Sequence, residues 1–285
     1  MKYSLGLCPV LVTIIFLTCA EPKGSQLSLP EISDRVVNGV EARDGQFPYV
    51  IWMTVYEGYL FRRASHNCDG TIISPNWILT AAHCILHSDS FLNIVSYDIR
   101  AGRVLQSEYT QFDRIYEEDA FAHPGYNDST LDNDIALLKS HGFDINTETV
   151  QSVALAPREW ANGDVSYLGK TFILAGFGYA SDNGQRPRRL LWAKVPYVPR
   201  AECEGAYGGE IPETVICADD YEIPTHNSCR GDSGGPIVLK TPSGKVIEVG
   251  ISSFGFRICS SGPGAYTNVA MFRDWIDSIM AEHSD

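Results

Sequence analysis

Three short segments carry residue types that together can perform nucleophilic chemistry. Residues 80–84 (TAAHC) contain His83, residues 132–138 (DNDIALL) contain Asp134, and residues 229–236 (CRGDSGGP) contain Ser233. A serine hydroxyl is a weak nucleophile at neutral pH, so it needs a base within hydrogen-bond reach, and an imidazole titrates in the right range. A carboxylate behind the imidazole fixes its tautomer and stabilises the imidazolium. The three segments therefore predict catalysis by an activated serine.

The segment around Ser233 is open to a second interpretation. It also fits the G-x-S-x-G nucleophile elbow of α/β-hydrolases, whose order of serine, acid and histidine would select Ser233, Asp274 and His283. An elbow turns from a strand into a helix, whereas residues 234–236 (GGP) lead into another β-branched run. The order of the motifs argues against that fold.

The elements that must position these residues are mainly strands. Runs rich in β-branched and aromatic residues alternate with Gly, Pro, Asn and Asp, which predicts an all-β protein. Helical spacing is clear only near the end, where an apolar stripe predicts a terminal helix formed around Phe272, Trp275, Ile276, Ile279 and Met280.

The N-terminal residues are typical of an exported protein. Residues 1–20 combine Lys2, a short apolar run and small residues at the end, which predicts a signal peptide; a retained membrane anchor is the alternative. Residues 21–35 are polar and predict a detachable pro-segment, so residues 36–285 form the main domain. We therefore expect a secreted, extracellular protein.

The cysteines and the charge narrow the function further. Six cysteines follow residue 20, and an even number in an exported chain predicts three disulfides, although counting leaves their pairing open. No spacing typical of a zinc site occurs among them, so we expect no metal and no other cofactor. The formal net charge of −13 argues against nucleic acid and membrane surfaces as partners.

The three motifs, in this order and in a cysteine-paired chain, resemble the trypsin/chymotrypsin family of serine proteases from Arg35 to the terminal helix. The resemblance implies two antiparallel six-stranded barrels, a C-terminal helix and an active site in the cleft between the barrels. His83 would be the general acid/base, Asp134 its orienting carboxylate and Ser233 the nucleophile, with Gly231 and Ser233 forming the oxyanion hole. The implied disulfides are Cys68–Cys84, Cys203–Cys217 and Cys229–Cys259.

The resemblance also implies activation by cleavage. Residues 35–39 (RVVNG) resemble the family's activation site, cut after Arg35 by a trypsin-like protease. The ammonium freed on Val36 would then pair with Asp232 and assemble the oxyanion hole. Implied partners are protein or peptide substrates, the activating protease and protein protease inhibitors.

Substrate choice is expected to depend on four positions. Asn227 matches the floor of the primary pocket, where trypsin-like relatives carry an aspartate, and Gly255 and Gly264 match its walls. A neutral floor predicts a preference for a large uncharged residue before the scissile bond (the P1 residue). Ser253 begins the segment that would pair with the substrate strand.

Several positions depart from the family's pattern or add to it. Asp69 stands where glycine is usual, which we expect to be silent in catalysis, and Phe172 and Leu239 replace a cysteine pair, which predicts a packed contact. Arg103 replaces a calcium-binding glutamate, so we expect no calcium site. Residues 127–129 (NDS) predict glycosylation of Asn127.

A catalytically inactive homologue that acts as a binding protein is the non-enzyme alternative. Such a chain would normally lack one of the three catalytic residue types. Because His83, Asp134 and Ser233 are all present, the sequence favours a serine endopeptidase.

Overall fold

Short strands account for most of the secondary structure. The computed structural model describes residues 39–59, 62–86, 93–179, 188–220 and 228–284. The first strands are β1 (Val40–Glu41), β2 (Val50–Tyr59), β3 (Arg62–Ser74), β4 (Trp77–Thr80), β5 (Asn93–Ala101), β6 (Gln111–Ile115), β7 (Ala120–Ala122) and β8 (Ala136–Lys139). The later strands are β9 (Ala154–Leu155), β10 (Thr171–Gly176), β11 (Leu191–Val198), β12 (Val215–Ala218), β13 (Pro236–Lys240), β14 (Val246–Phe254) and β15 (Gly264–Asn268). The α-helices are α1 (Ala82–Ile85), α2 (Gly163–Tyr167), α3 (Arg200–Tyr207) and α4 (Arg273–Glu282).

The later strands close into a barrel. Their order is β11-β10-β13-β14-β15-β12, and β12 pairs back with β11 to complete a ring of six antiparallel strands. Strand β1 adds to β11 at one side, and the short β9 pairs with β14 in the parallel direction. This barrel carries the segment around Ser233 on the connection into β13.

The earlier strands form a curled half-barrel with the order β6-β5-β2-β3-β4-β8-β7. Its two edge strands, β6 and β7, follow each other in the chain and are separated by the 3-10 turn Glu117–Asp119. No ladder joins these two edges among the residues that the structure describes. The acidic turn keeps the chain at the surface between the edges, as charged groups at sheet edges commonly do. The all-β fold is confirmed, with one closed six-stranded barrel and one curled sheet of seven strands.

The terminal helix α4 packs against the N-terminal half. Ile276 is fully buried in the core cluster of the curled sheet, and Trp275, Ile279 and Met280 pack against the same cluster. Because these positions lie three and four residues apart, they share one face of the helix. The apolar face of α4 therefore packs the last helix of the chain against the curled sheet.

The core of the closed barrel contains the two positions where a cysteine pair was replaced. Phe172 is fully buried beside the rings of Tyr167 and Tyr197, at centroid distances of 5.4 Å and 6.2 Å. Leu239 packs against the same cluster. An apolar contact thus occupies this part of the barrel.

No helix in the described ranges is both long and apolar enough to cross a membrane.

Candidate active site

His83 lies on a helix of a single turn that directly follows a buried strand. A single residue separates helix α1 from the end of β4, and all four residues of β4 are buried. The disulfide Cys68–Cys84 ties this helix to β3. The imidazole is consequently held at the edge of the curled sheet, facing the segment that precedes β8.

Asp134 reaches His83 from a turn just before β8. The preceding residue, Asn133, has a φ of 56°, a left-handed conformation that asparagine tolerates better than most residues. The Asp134 carboxylate accepts a hydrogen bond from the backbone N–H of His83 at 2.9 Å and lies 2.7 Å from His83 Nδ1. Two contacts to one residue fix both the position and the rotation of the imidazole.

The closed barrel also contributes to Asp134. Ser253 Oγ donates to Asp134 Oδ2 at 2.5 Å, and Thr267 Oγ1 donates to the Asp134 carbonyl at 2.7 Å. The carboxylate is fully buried. These contacts join β14 and β15 of the closed barrel to the segment of the curled sheet that carries Asp134.

The electrostatics of the pair define a tautomer. Burial by itself raises the pKa of Asp134, but the charge of His83 and the hydrogen bonds from His83 and Ser253 outweigh it, so the pKa lies below its usual range. An ionised carboxylate only accepts hydrogen bonds, so His83 Nδ1 carries a proton. In the neutral ring, Nε2 is then the acceptor, which is the state that a general base requires.

The loop that carries Ser233 docks against the same region. The N–H of Asp69 on β3 donates to the Ser233 carbonyl at 2.8 Å. Gly231 and Gly234 have φ values of 94° and 79°, and a Cβ on Gly234 would overlap Thr80 Oγ1. Glycine at 234 therefore lets the loop approach the end of β4, three residues before His83.

Hydrogen bonds to the buried side chain of Asp232 hold this loop in place. Its carboxylate is fully buried and accepts hydrogen bonds from the N–H of Gly178 at 2.7 Å and of Cys229 at 2.8 Å. The Cys229–Cys259 disulfide fastens the start of the loop to the segment after β14.

A cavity of about 240 Å³ opens beside Ser233. Its lining includes Ser233, Ser253 and Gly255 together with Arg230 and Arg257. A Cβ on Gly255 would meet no atom within 4 Å, so this wall is open. The structure thus places a concave, partly cationic space directly beside the hydroxyl.

Other predicted positions lie at the margin of this site or beyond the described residues. Gly264 is buried at the start of β15 opposite Ala218. Arg35, Val36 and Asn227 lie outside the residues that the structure describes.

The cysteines form the three pairs that the resemblance implies. Besides the two disulfides beside the site, Cys203–Cys217 joins α3 to β12. In the described part of the chain, the metal-type side chains that come together are Cys68, His83 and Cys84, but the two sulfurs are bonded to each other. A disulfide lacks the thiolate that binds a metal, so this cluster is not a metal site.

The loop that carries Asn127 is exposed and ordered by local hydrogen bonds. Asn127 Oδ1 accepts from the N–H of Ser129 at 2.9 Å, and the Asn127 N–H donates to the Asp132 carbonyl at 3.0 Å. The side chain is therefore accessible at a surface turn.

Sequence reasoning missed the part that Ser253 and Thr267 play in holding Asp134. Ser253 was expected only to contact substrate through its backbone, yet its hydroxyl bonds a residue 119 positions away. No local pattern distinguishes it from its neighbour Ser252. Only the pairing of the two halves brings these hydroxyls to the carboxylate.

Comparison with known proteins agrees with this geometry. A family model described as Trypsin matches residues 36–276. Trypsin delta of Drosophila melanogaster is 33% identical over 256 residues, covering 88% of this chain and 90% of the relative. Anionic trypsin of Canis lupus familiaris is 33% identical over 264 residues, covering 92% of this chain and 96% of the relative. A solved structure described as HL collagenase superposes with a TM-score of 0.73 at 30% identity, covering 86% of this chain and 98% of that one. The chain belongs to the trypsin family of serine proteases, and it is a serine endopeptidase acting on proteins or peptides.

The hydrogen bond from Ser253 to Asp134 should have a measurable effect on stability. We expect Ser253→Ala to lower the free energy of unfolding by about 2 kcal/mol at neutral pH, because the bond is to a charged group. The folded pKa of Asp134 is depressed, so its contribution is present above the unfolded value of ~3.9 and is lost as pH falls through the folded pKa. The difference between the proteins should therefore shrink in acid, as measured by urea unfolding across the pH range.

Ser252→Ala is the matched control. Ser252 is 3% exposed, and its Oγ has no hydrogen-bond partner in the described structure, so its removal should change the unfolding free energy by less than about 0.5 kcal/mol. Equal losses in the two variants, or a loss in Ser253→Ala that does not depend on pH, would contradict the assignment.

Proposed function

We propose that this endopeptidase works through a catalytic triad of His83, Asp134 and Ser233. The observation that carries the proposal is the orientation of His83 by the buried Asp134, with Nδ1 2.7 Å from Oδ2. This contact leaves Nε2 to accept a proton from an incoming hydroxyl. Ser233 lies in a loop that is hydrogen-bonded to β3 of the curled sheet, and it lines the adjoining cavity.

The first half of the reaction forms an acyl-enzyme. Ser233 Oγ attacks the scissile carbonyl carbon while His83 Nε2 takes the hydroxyl proton, and Asp134 stabilises the imidazolium that results. The carbonyl oxygen becomes an oxyanion, which the N–H groups of Gly231 and Ser233 stabilise. The tetrahedral intermediate collapses, the C–N bond breaks, and His83 gives its proton to the leaving amine.

The second half restores the enzyme. A water molecule attacks the ester carbonyl as His83 Nε2 accepts one of its protons. The new tetrahedral intermediate expels Ser233 Oγ, which regains the proton from His83, and the carboxylic acid product leaves. The proton balance closes, so no cofactor is needed.

We propose further that the chain is made as a secreted precursor. Residues 1–20 act as a signal peptide, residues 21–35 as the pro-segment and residues 36–285 as the protease domain. A trypsin-like protease cleaves after Arg35, and the ammonium of Val36 binds the buried Asp232 beneath the catalytic loop. Protein protease inhibitors are expected to compete for the cleft, and Asn127 is expected to carry a glycan.

The P1 preference follows from the lining of the cavity. Asn227, which matches the floor position in the family's pattern, would offer an amide without a counter-charge, and Arg230 and Arg257 add two cations to the lining of the cavity. A lysine or arginine side chain entering this space would be both desolvated and repelled, at a cost of several kcal/mol. Large uncharged side chains such as Phe, Tyr or Leu gain from apolar burial instead.

Replacement of the nucleophile tests the triad. Ser233→Ala should lower kcat/KM of the activated enzyme by at least about 10⁴-fold, because the reaction loses the hydroxyl that attacks the scissile carbonyl. The measurement is hydrolysis of a peptide substrate after activation. Ser243→Ala, in an exposed turn, is the control and should keep wild-type activity. Appreciable activity in Ser233→Ala would remove Ser233 from its proposed role.

Blocking the cleavage tests activation. Arg35→Gln should remain nearly inactive after exposure to a trypsin-like protease, whereas the wild-type precursor should gain activity. N-terminal sequencing should then report Val36 as the first residue of the active form. Arg43→Gln, which alters an exposed arginine nearby, should be activated normally. A fully active, uncleaved Arg35→Gln chain would refute the switch.

Introduction of a negative charge at position 227 tests the specificity. On matched peptides that differ only at P1, the wild-type enzyme should show a higher kcat/KM for Phe than for Arg. Asn227→Asp should raise kcat/KM for Arg, incompletely because Arg230 and Arg257 remain in the lining. Faster wild-type turnover of the Arg peptide than of the Phe peptide would contradict the assignment.

A further inference from the structure

Two arginines line the cavity beside Ser233, and a single disulfide joins the segments that carry them. Arg230 directly follows Cys229, and Arg257 lies two residues before Cys259. The Cys229–Cys259 bond holds the Cα atoms of the two cysteines 5.3 Å apart. Both arginines contribute to the lining of the same cavity of about 240 Å³. A covalent link therefore keeps the two cations at one site.

The backbone that carries each arginine is also held by other contacts. The N–H of Tyr179 donates to the Arg230 carbonyl at 2.8 Å. The ring of Phe256, the residue before Arg257, stacks on Tyr207 with centroids 4.6 Å apart and an interplanar angle of 27°. The two guanidinium groups therefore extend from backbone whose position is fixed.

The charge of the cavity lining is opposite to that of the whole chain. The formal net charge of the chain is −13. Among the described residues that line the cavity, Arg230 and Arg257 carry charges, and no aspartate or glutamate lies there. Both arginines are exposed, and neither side chain forms an ion pair within the part of the chain that the structure describes. Because a cleft concentrates the field of the charges that line it, this cavity attracts an anionic group.

We infer that Arg230 and Arg257 form a carboxylate subsite, so that this protease prefers substrates with Asp or Glu at P2 or P3, the second or third residue before the scissile bond. The inference rests on the proposed triad and P1 preference, and it names a further feature of the substrate. Repulsion of a cationic P1 side chain excludes some substrates, whereas this subsite selects among those that remain.

The guanidinium group is suited to binding a carboxylate. It is planar and always charged, and it presents its N–H donors as a fork that matches the two carboxylate oxygens. A single exposed ion pair contributes little to binding, because water and salt screen it. Two cations that act on the same carboxylate strengthen the interaction and restrict its geometry.

The position of the arginines relative to the substrate strand indicates P2 and P3. The P1 side chain is proposed to occupy the cavity, and Ser253, Phe254 and Gly255 form the wall that is expected to pair with the substrate strand. Arg257 continues this segment two residues after Gly255. Because both arginines are exposed as well as lining the cavity, their charged groups lie at its mouth. The residues that precede P1 on the paired strand consequently pass beside them.

The exposure of the two arginines makes the preference dependent on salt. At an ionic strength of about 0.01 M, kcat/KM for a peptide with Glu at the selected position should exceed that for the matched Gln peptide by about three- to tenfold. The Debye length falls from about 30 Å at this ionic strength to about 3 Å at 1 M, so the ratio should approach one in 1 M sodium chloride. A preference that arose from shape alone would not respond in this way.

The experiment measures this ratio with the activated enzyme on peptides that carry Phe at P1 and differ only by Glu or Gln at P2, P3, P1′ or P2′. The wild-type ratio should exceed one at P2 or P3 and should be close to one at P1′ and P2′. The double variant Arg230→Gln with Arg257→Gln should lower the ratio to about one, because both cations are removed. The double variant Arg230→Lys with Arg257→Lys keeps the charges and should retain part of the preference. Because each ratio compares two peptides on one enzyme preparation, a loss of folded enzyme cancels.

Arg43→Gln is the matched control. It removes the same charge from an exposed residue that does not line this cavity, so its ratio should equal that of the wild type. A wild-type ratio close to one at both P2 and P3, or a preference that the double Gln variant retains, overturns the subsite. Absence of cleavage of every peptide by the activated wild-type enzyme instead overturns the proposed function on which the subsite rests, so the two failures are distinct.

Discussion

The burial of carboxylates constrains this structure more than any other single interaction. Asp134 and Asp232 are both fully removed from water, which costs several kcal/mol for each unless donors and counter-charges surround it. For Asp134 the donors are His83 in the curled sheet and Ser253 in the closed barrel. The acid is therefore satisfied only when both halves have folded and docked. The hydrogen bonds that hold Asp134 and orient His83 therefore also join the two sheets.

The same constraint explains the distribution of glycine around the site. Gly176 and Gly178 leave room for the Asp232 carboxylate, and Gly234 lets the loop that carries Ser233 approach Thr80. Each of these positions is occupied by glycine because a neighbouring acid or hydroxyl fills the space of a Cβ. Backbone N–H groups that are uncovered in this way become the donors that the acids need. Thus the absence of a side chain at a glycine exposes a backbone N–H that can solvate a buried carboxylate.

What the sequence predicts here depends on how local the determining interaction is. The stripe of α4 is visible because Trp275, Ile276 and Ile279 repeat within one helix, and the family is recognisable because chemistry restricts residue types near the reacting atoms. The contact of Ser253 with Asp134 spans 119 positions, and that of Asp69 with Phe177 spans 108. No periodicity encodes such contacts. Among the described residues no ladder joins β6 to β7, although only the short turn Glu117–Asp119 separates them in the chain, and no local pattern of residues predicts this opening.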